Sequence, residues 1–195
     1  MDAYLADHTL EEACDDVLIP ALARAKRDRE FERLSEDEAR AIYRAARETV
    51  EEIAARQPPP ASASEGAPHV LGCAATDEAD ETALTMLGRV LSPSECALEP
   101  SSAHALSAEI VSLAAEKNPA VLFIAALPPN GLAQTRHLCK RLRARFPAAK
   151  ILVGRWGETS LDVSDREGLL AAGADAVGTT LRESRGQLLE QLSLD

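Results

Sequence analysis

The stretch Ala120-Val121-Leu122-Phe123-Ile124-Ala125-Ala126-Leu127, closed by Pro128-Pro129-Asn130-Gly131, decides the reading of this chain. Unbroken apolar residues between breaker residues describe a strand buried on both faces, the signature of a parallel sheet covered by helices. The run is far shorter than the roughly 20 residues a membrane span needs, so no membrane insertion is expected.

The same alternation extends on both sides. Leu132 to Phe146 has helical spacing, and Lys150 to Gly154 is a strand rich in Ile, Leu and Val. Asp165 to Ala172 reads as a helix ended by Gly173, Ala174 to Gly178 as a last strand, and Leu181 to Leu192 as a closing helix. Upstream lie a strand at His69 to Ala75, a helix at Ala79 to Leu91, a weak strand at Cys96 to Glu99 and a helix from about Ala103 to Lys117. Five strand–helix units predict an α/β domain over residues 68–195, a flavodoxin-like or Rossmann-like parallel sheet of order 2-1-3-4-5.

Gln57 to Ala67, QPPPASASEGA, reads as a semi-rigid tether, because prolines remove donors and the small residues have nothing to pack. Residues 1–56 read as helical. Thr9…Glu12 and Ser35…Glu38 are capping boxes. Leu10, Cys14, Val17, Leu18, Ala21, Leu22 and Ala25 form one apolar stripe, and Pro20 is expected to kink or split that helix. The second helix carries Ala39, Ile42, Tyr43, Ala46, Val50 and Ile53. Two helices cannot close a core, so their apolar faces require a third surface: the rest of the chain, a second copy in a homodimer, or the domains of a longer parent protein.

Composition narrows the partners. The chain has 195 residues, 32 acidic and 21 basic side chains, a net charge of −11, 46 % hydrophobic and 3 % aromatic residues. That balance argues against a general nucleic-acid binder and a base-stacking surface. Cys14, Cys73, Cys96 and Cys139 lack C-x-x-C spacing, so neither a disulfide framework nor a zinc site is expected, and a reducing cytoplasmic compartment is the plain reading. No basic start followed by an apolar stretch opens the sequence, so no secretory leader is expected. The basic run Arg136 to Arg145 reads first as a solvated helix face, second as a docking surface for an acidic partner such as the chain's own residues 1–57, which hold fifteen acids and nine bases, and third as an RNA contact. Of the four histidines, His69 reads as structural and His104 as lying near the crevice mouth.

In such a sheet, function comes from the loops after the strands. Asp77-Glu78-Ala79-Asp80-Glu81 after the first strand reads as helix capping and dipole compensation, with a divalent-cation site as the alternative. A phosphorylated receiver domain would need an aspartate at the end of the third strand, where Ala125 stands. Gly154-Arg155-Trp156-Gly157 holds the chain's one tryptophan and is expected to fill the strand-end crevice or to form a contact patch. No paired acid–base or nucleophile set converges in the sequence, so no catalytic residue, metal ligand or enzymatic activity is expected.

A helical segment, a linker and a five-unit domain with these loops resemble the cobalamin-binding (B12-binding) domain family, over residues 68–195 more firmly than over the helical segment. The resemblance implies a first-loop D-x-H-x-x-G, read here as Asp77-Glu78-Ala79-Asp80-Glu81-Thr82, with alanine at the cobalt-ligating position and Thr82 at the glycine. It implies S-x-L at Ala125-Ala126-Leu127, G-G at Gly154-Arg155, and the last loop at Gly178-Thr179. Asp77, Thr82, Ala125, Leu127, Gly154, Gly178 and Thr179 are thus the implied cofactor-binding positions. A histidine-ligated corrinoid is excluded at Ala79. The resemblance therefore implies a non-catalytic regulatory or protein-interaction module with a degenerate site and no cofactor; the alternative is a functional base-on cobalamin carrier or sensor.

Overall fold

The computed structural model describes residues 8–56, 67–157 and 161–193; the tether expected at 57–67 lies outside them except for Ala67. Helix α1 runs over residues 10–30 in three pieces, an α-turn Leu10–Ala13, a π-turn Cys14–Leu18 and an α-helix Ile19–Glu30. Helix α2 is Glu36–Arg56. The domain follows as β1 His69–Ala74, α3 Glu78–Val90, β2 Ala97–Pro100, α4 Ser107–Lys117, β3 Val121–Ala125, α5 Leu132–Arg145, β4 Lys150–Gly154, α6 Val163–Ala171, β5 Ala176–Gly178 and α7 Leu181–Ser193. All strands are parallel, in the order β2-β1-β3-β4-β5.

Successive strand residues point to opposite faces, and each face has its own core. Val70, Ala74, Phe123, Ala125 and Leu152 pack with α1, α2, α3 and α7. Leu71, Cys73, Leu122, Ile124, Ile151 and Val153 pack with α4, α5 and α6. The third surface required by α1 and α2 is therefore this chain's own domain, with Tyr43, Val50 and Ile53 buried in the same core as Leu84 and Leu87.

Both capping boxes form. The Thr9 N–H donates to Glu12 and the Glu12 N–H to Thr9, and Ser35 and Glu38 do the same. The expected split falls beside Pro20, where the π-turn gives way to the α-helix Ile19–Glu30. Pro20 occupies the first turn of the piece that follows the π-turn, where the Ile19 N–H reaches back to the Cys14 carbonyl. A π-turn is a usual way to absorb one residue that an α-helix cannot. The buried pairs Ala13/Cys14 and Leu18/Ile19 straddle it one position further apart than an α-turn would set them. That shift turns Val17 and Ala21, expected in the apolar stripe, out to solvent.

The basic helix α5 also departs in part from expectation. It packs on the face opposite α1 and α2, so it does not dock on the helical segment. The solvated face holds for Lys140, Arg141 and Arg145, which are exposed, whereas Arg136 pairs with Asp165 at 2.8 Å, and Arg143 pairs with Asp175 at 2.7 Å and donates to the Gly173 carbonyl. Gly173, in the left-handed region at φ 111°, ends α6 as expected.

Candidate functional site

The carboxyl ends of β1 and β3 meet where the chain direction reverses, the place at which flavodoxin-like sheets seat their ligands. Lys26 of α1 is inserted there. Its Nζ donates to Thr76 Oγ1 at 2.8 Å and Asp80 Oδ1 at 2.9 Å, and lies 3.2 Å from Asp77 Oδ1. Asp80 is fully buried. It accepts the Leu127 N–H at 2.8 Å, the Thr76 N–H at 2.9 Å and the Thr76 hydroxyl at 2.6 Å. Burial pushes its carboxyl above the usual aspartate range, and Lys26 pulls it back. Arg29, one turn on, reaches Asp77 at 2.7 Å, while Asp77 caps α3 by accepting the Ala79 N–H. The acidic cluster thus serves as a helix cap; Lys26 and Arg29 of α1 are the counter-ions of Asp77 and Asp80, and Arg40 and Arg47 of α2 those of Glu78 and Glu81. Among the described residues no group of three His, Cys, Asp or Glu side chains is placed to hold a metal ion.

The β4 end is filled from within. Arg155, buried at 2 % exposure, lays its guanidinium under the turn after β3 and donates to the carbonyls of Ala126 (3.1 Å), Pro129 (3.0 Å) and Asn130. Trp156 is fully buried; its ring lies 5.7 Å from that of Phe123 and its Nε1–H donates to Ser184 Oγ at 2.8 Å. Gly154 is held tight by this ring, since a Cβ there would come 2.6 Å from two ring atoms. Gly157, at φ 90°, has no such room either: a Cβ would meet Ala23 of α1 at 2.7 Å. Helix α1 therefore closes directly on the β4 loop.

The other implied cofactor positions lie along the same edge but are engaged by the chain itself. Ala79 is buried, and Thr82 is buried with its hydroxyl donating to the Glu78 carbonyl and accepting from Arg47 at 3.2 Å. Ala125 and Leu127 are buried. Gly178 backs onto Ser184, and Thr179 donates both its N–H and its hydroxyl to Glu183. Beyond that loop, Asp15 of α1 accepts the Leu181 N–H at 2.6 Å and the Arg182 N–H at 3.0 Å, capping α7.

His104 stands at the mouth, mostly exposed, 4.0 Å from Glu78; His69 pairs with Glu99 at 3.1 Å. The sequence reading missed Lys26, Asp80 and Asp15. For Lys26 a signal existed: Leu18, Leu22 and Lys26 fall at i, i+4, i+8 on the apolar face. A lysine there requires a buried partner.

No protein-family model matches the chain, and no curated protein does. Among solved structures, the monomethylamine corrinoid protein of Methanosarcina barkeri superposes with a TM-score of 0.64 at 14 % identity, over 97 % of this chain and 87 % of that one. The match spans the helical segment as well as the α/β domain. A CheY-like protein from Pseudomonas aeruginosa (TM-score 0.48, 22 % identity, 63 % of this chain and 91 % of that one) and a LuxR-family two-component response regulator from Aurantimonas (0.44, 19 %, 66 % and 84 %) share the α/β part too loosely to carry an argument. At these identities the likeness is one of fold: a flavodoxin-like domain of the architecture found in that corrinoid protein.

Proposed function

We propose that this chain is a non-catalytic regulatory or protein-interaction module, built on a cobalamin-binding-like fold whose cofactor site is closed. Lys26 Nζ, seated among Thr76, Asp77 and Asp80 at the switch point, is the observation that carries this reading. A ligand there would have to displace a buried ion pair. The residues do not fit a corrinoid: the Ala79 methyl offers no lone pair to a metal, and the Trp156 ring occupies the space over Gly154. The partner would be another protein or the domains of a parent chain, in a reducing cytoplasmic compartment. A homodimer through the helical segment loses its motive, because the domain covers that segment's apolar face. No described helix is long and apolar enough to cross a membrane.

The whole-chain likeness to a corrinoid protein supports the alternative, a carrier or sensor of base-on cobalamin. One experiment separates the two. The protein is incubated with hydroxocobalamin, desalted and examined for visible absorbance, with calorimetry alongside. Colourless protein and no binding heat are expected; retained stoichiometric pigment would overturn the proposal.

A further inference from the structure

A groove of about 420 Å³ runs between α2 and the first turns of α3. Arg40, Arg44 and Arg47 share one face of α2 by their spacing, and all three line it. Glu78 and Glu81 face them only loosely, at 3.4 Å from Arg40 and 3.6 Å from Arg47. Arg44 is exposed and makes no hydrogen bond or ion pair among the described residues. A smaller recess of about 80 Å³ shares Arg40, Tyr43 and His104 with the groove and continues it toward Arg29.

Two buried polar atoms of this groove's lining residues have no partner among the described residues. Tyr43 is 2 % exposed and its hydroxyl is unbonded, and the Nε–H of Arg47 is unbonded as well. Native proteins rarely leave such groups empty, because a buried donor that has given up water and found no acceptor is destabilising. Burial, with Asp77 nearby, pushes the Tyr43 hydroxyl up to about 12, so it stays a neutral O–H donor. Arg47 Nε can only donate. Glu78 and Glu81 put acceptors on the α3 side of the groove, Glu36 and Asp77 put them in the recess, and Arg40 already pairs with Glu36. Even so, the Tyr43 hydroxyl, Arg47 Nε and the Arg44 guanidinium have no acceptor among the described residues.

We propose that this groove binds a small metabolite through an oxyanion, a phosphate or a carboxylate. Arg44 and Arg47 supply the guanidinium fork that such groups match, and Tyr43 donates from below. The recess beside Tyr43 is small, about 80 Å³, which favours a metabolite over a protein surface. The site lies outside the closed strand ends, so it goes beyond the module reading and does not depend on it.

The test is a titration of the full chain, labelled with nitrogen-15, with sodium phosphate and separately with sodium acetate at constant ionic strength. Saturable shifts at Tyr43, Arg44 and Arg47 are expected with at least one anion, and which one responds identifies the oxyanion. Arg44→Ala, at an exposed and unpartnered position, should weaken binding about tenfold, and Tyr43→Phe several-fold, with the fold unchanged. Lys140→Ala/Arg141→Ala on α5 should bind as the parent does. No saturable shift with either anion up to about 20 mM, or equal weakening by the α5 variant, would overturn the proposal.

Discussion

Lys26 on the first helix and Asp80 on the first helix of the α/β domain form an ion pair of 2.9 Å with both side chains shut off from water. The pair joins the helical layer to the switch point of the sheet.

Removing one partner leaves the other buried and uncompensated. Lys26→Met should cost about 3–5 kcal/mol in urea denaturation. Asp80→Ala should cost at least as much, because the N–H groups of Leu127 and Thr76 lose their acceptor too.

The Lys26→Met deficit should depend on pH. Burial already raises the Asp80 carboxyl, and loss of the ammonium removes the chief influence holding it down. A folded-state value above the unfolded one gives stability that is present at low pH and lost as pH rises. The variant should therefore lie closer to the parent at about pH 5 than at pH 8. Denaturation midpoints of both proteins at the two pH values check this.

Arg155→Gly opens space beneath the turn after β3 but strips three carbonyls of their donor. A loss of about 1–3 kcal/mol with the fold retained is expected. Trp156→Ala should cost about 3–5 kcal/mol. Intrinsic fluorescence reports on the first variant directly, since Trp156 is the chain's one tryptophan; its emission should be blue in the parent and stay blue in Arg155→Gly.

Burial pushes the thiols of Cys14, Cys73 and Cys139 up to about 12 and that of Cys96 to about 11, against an ordinary value of 9. These raised values contribute stability that is complete below the unfolded value and lost as pH climbs through the folded ones. The urea midpoint should hold near pH 8 and fall from about pH 9 upward. At pH 8 a thiol reagent should titrate the four cysteines only after unfolding, as stopped-flow absorbance would show.

Asp15→Ala should cost about 1 kcal/mol and speed hydrogen exchange at Leu181 and Arg182, because it uncaps α7. Exchange elsewhere in α7 should change less.

The sheet was legible because its strands are continuous apolar runs and its helices keep their period, as Val121–Ala125 and Leu132–Arg145 illustrate. Capping boxes were legible because their partners are three residues apart. The departures have a common cause in tertiary contact. Lys26 and Asp80 sit 54 positions apart, and Asp15 and Leu181 sit 166 apart, so no local pattern joins them. The basic helix is a solvated face at Lys140, Arg141 and Arg145, but the sequence does not show that Asp165 and Asp175 lie opposite Arg136 and Arg143. Tyr43 read as one more core residue; that its hydroxyl is left unbonded is a fact about its neighbours.

The π-turn at Cys14–Leu18 acts as a phase adjuster. One surplus residue rotates all that follows by about 100° around the helix axis. Lys26 and Arg29 point at the strand ends because of that rotation. A single deletion within the turn would swing both cations away from Asp77 and Asp80, so the docking of one layer on the other is set by an angular offset three turns upstream.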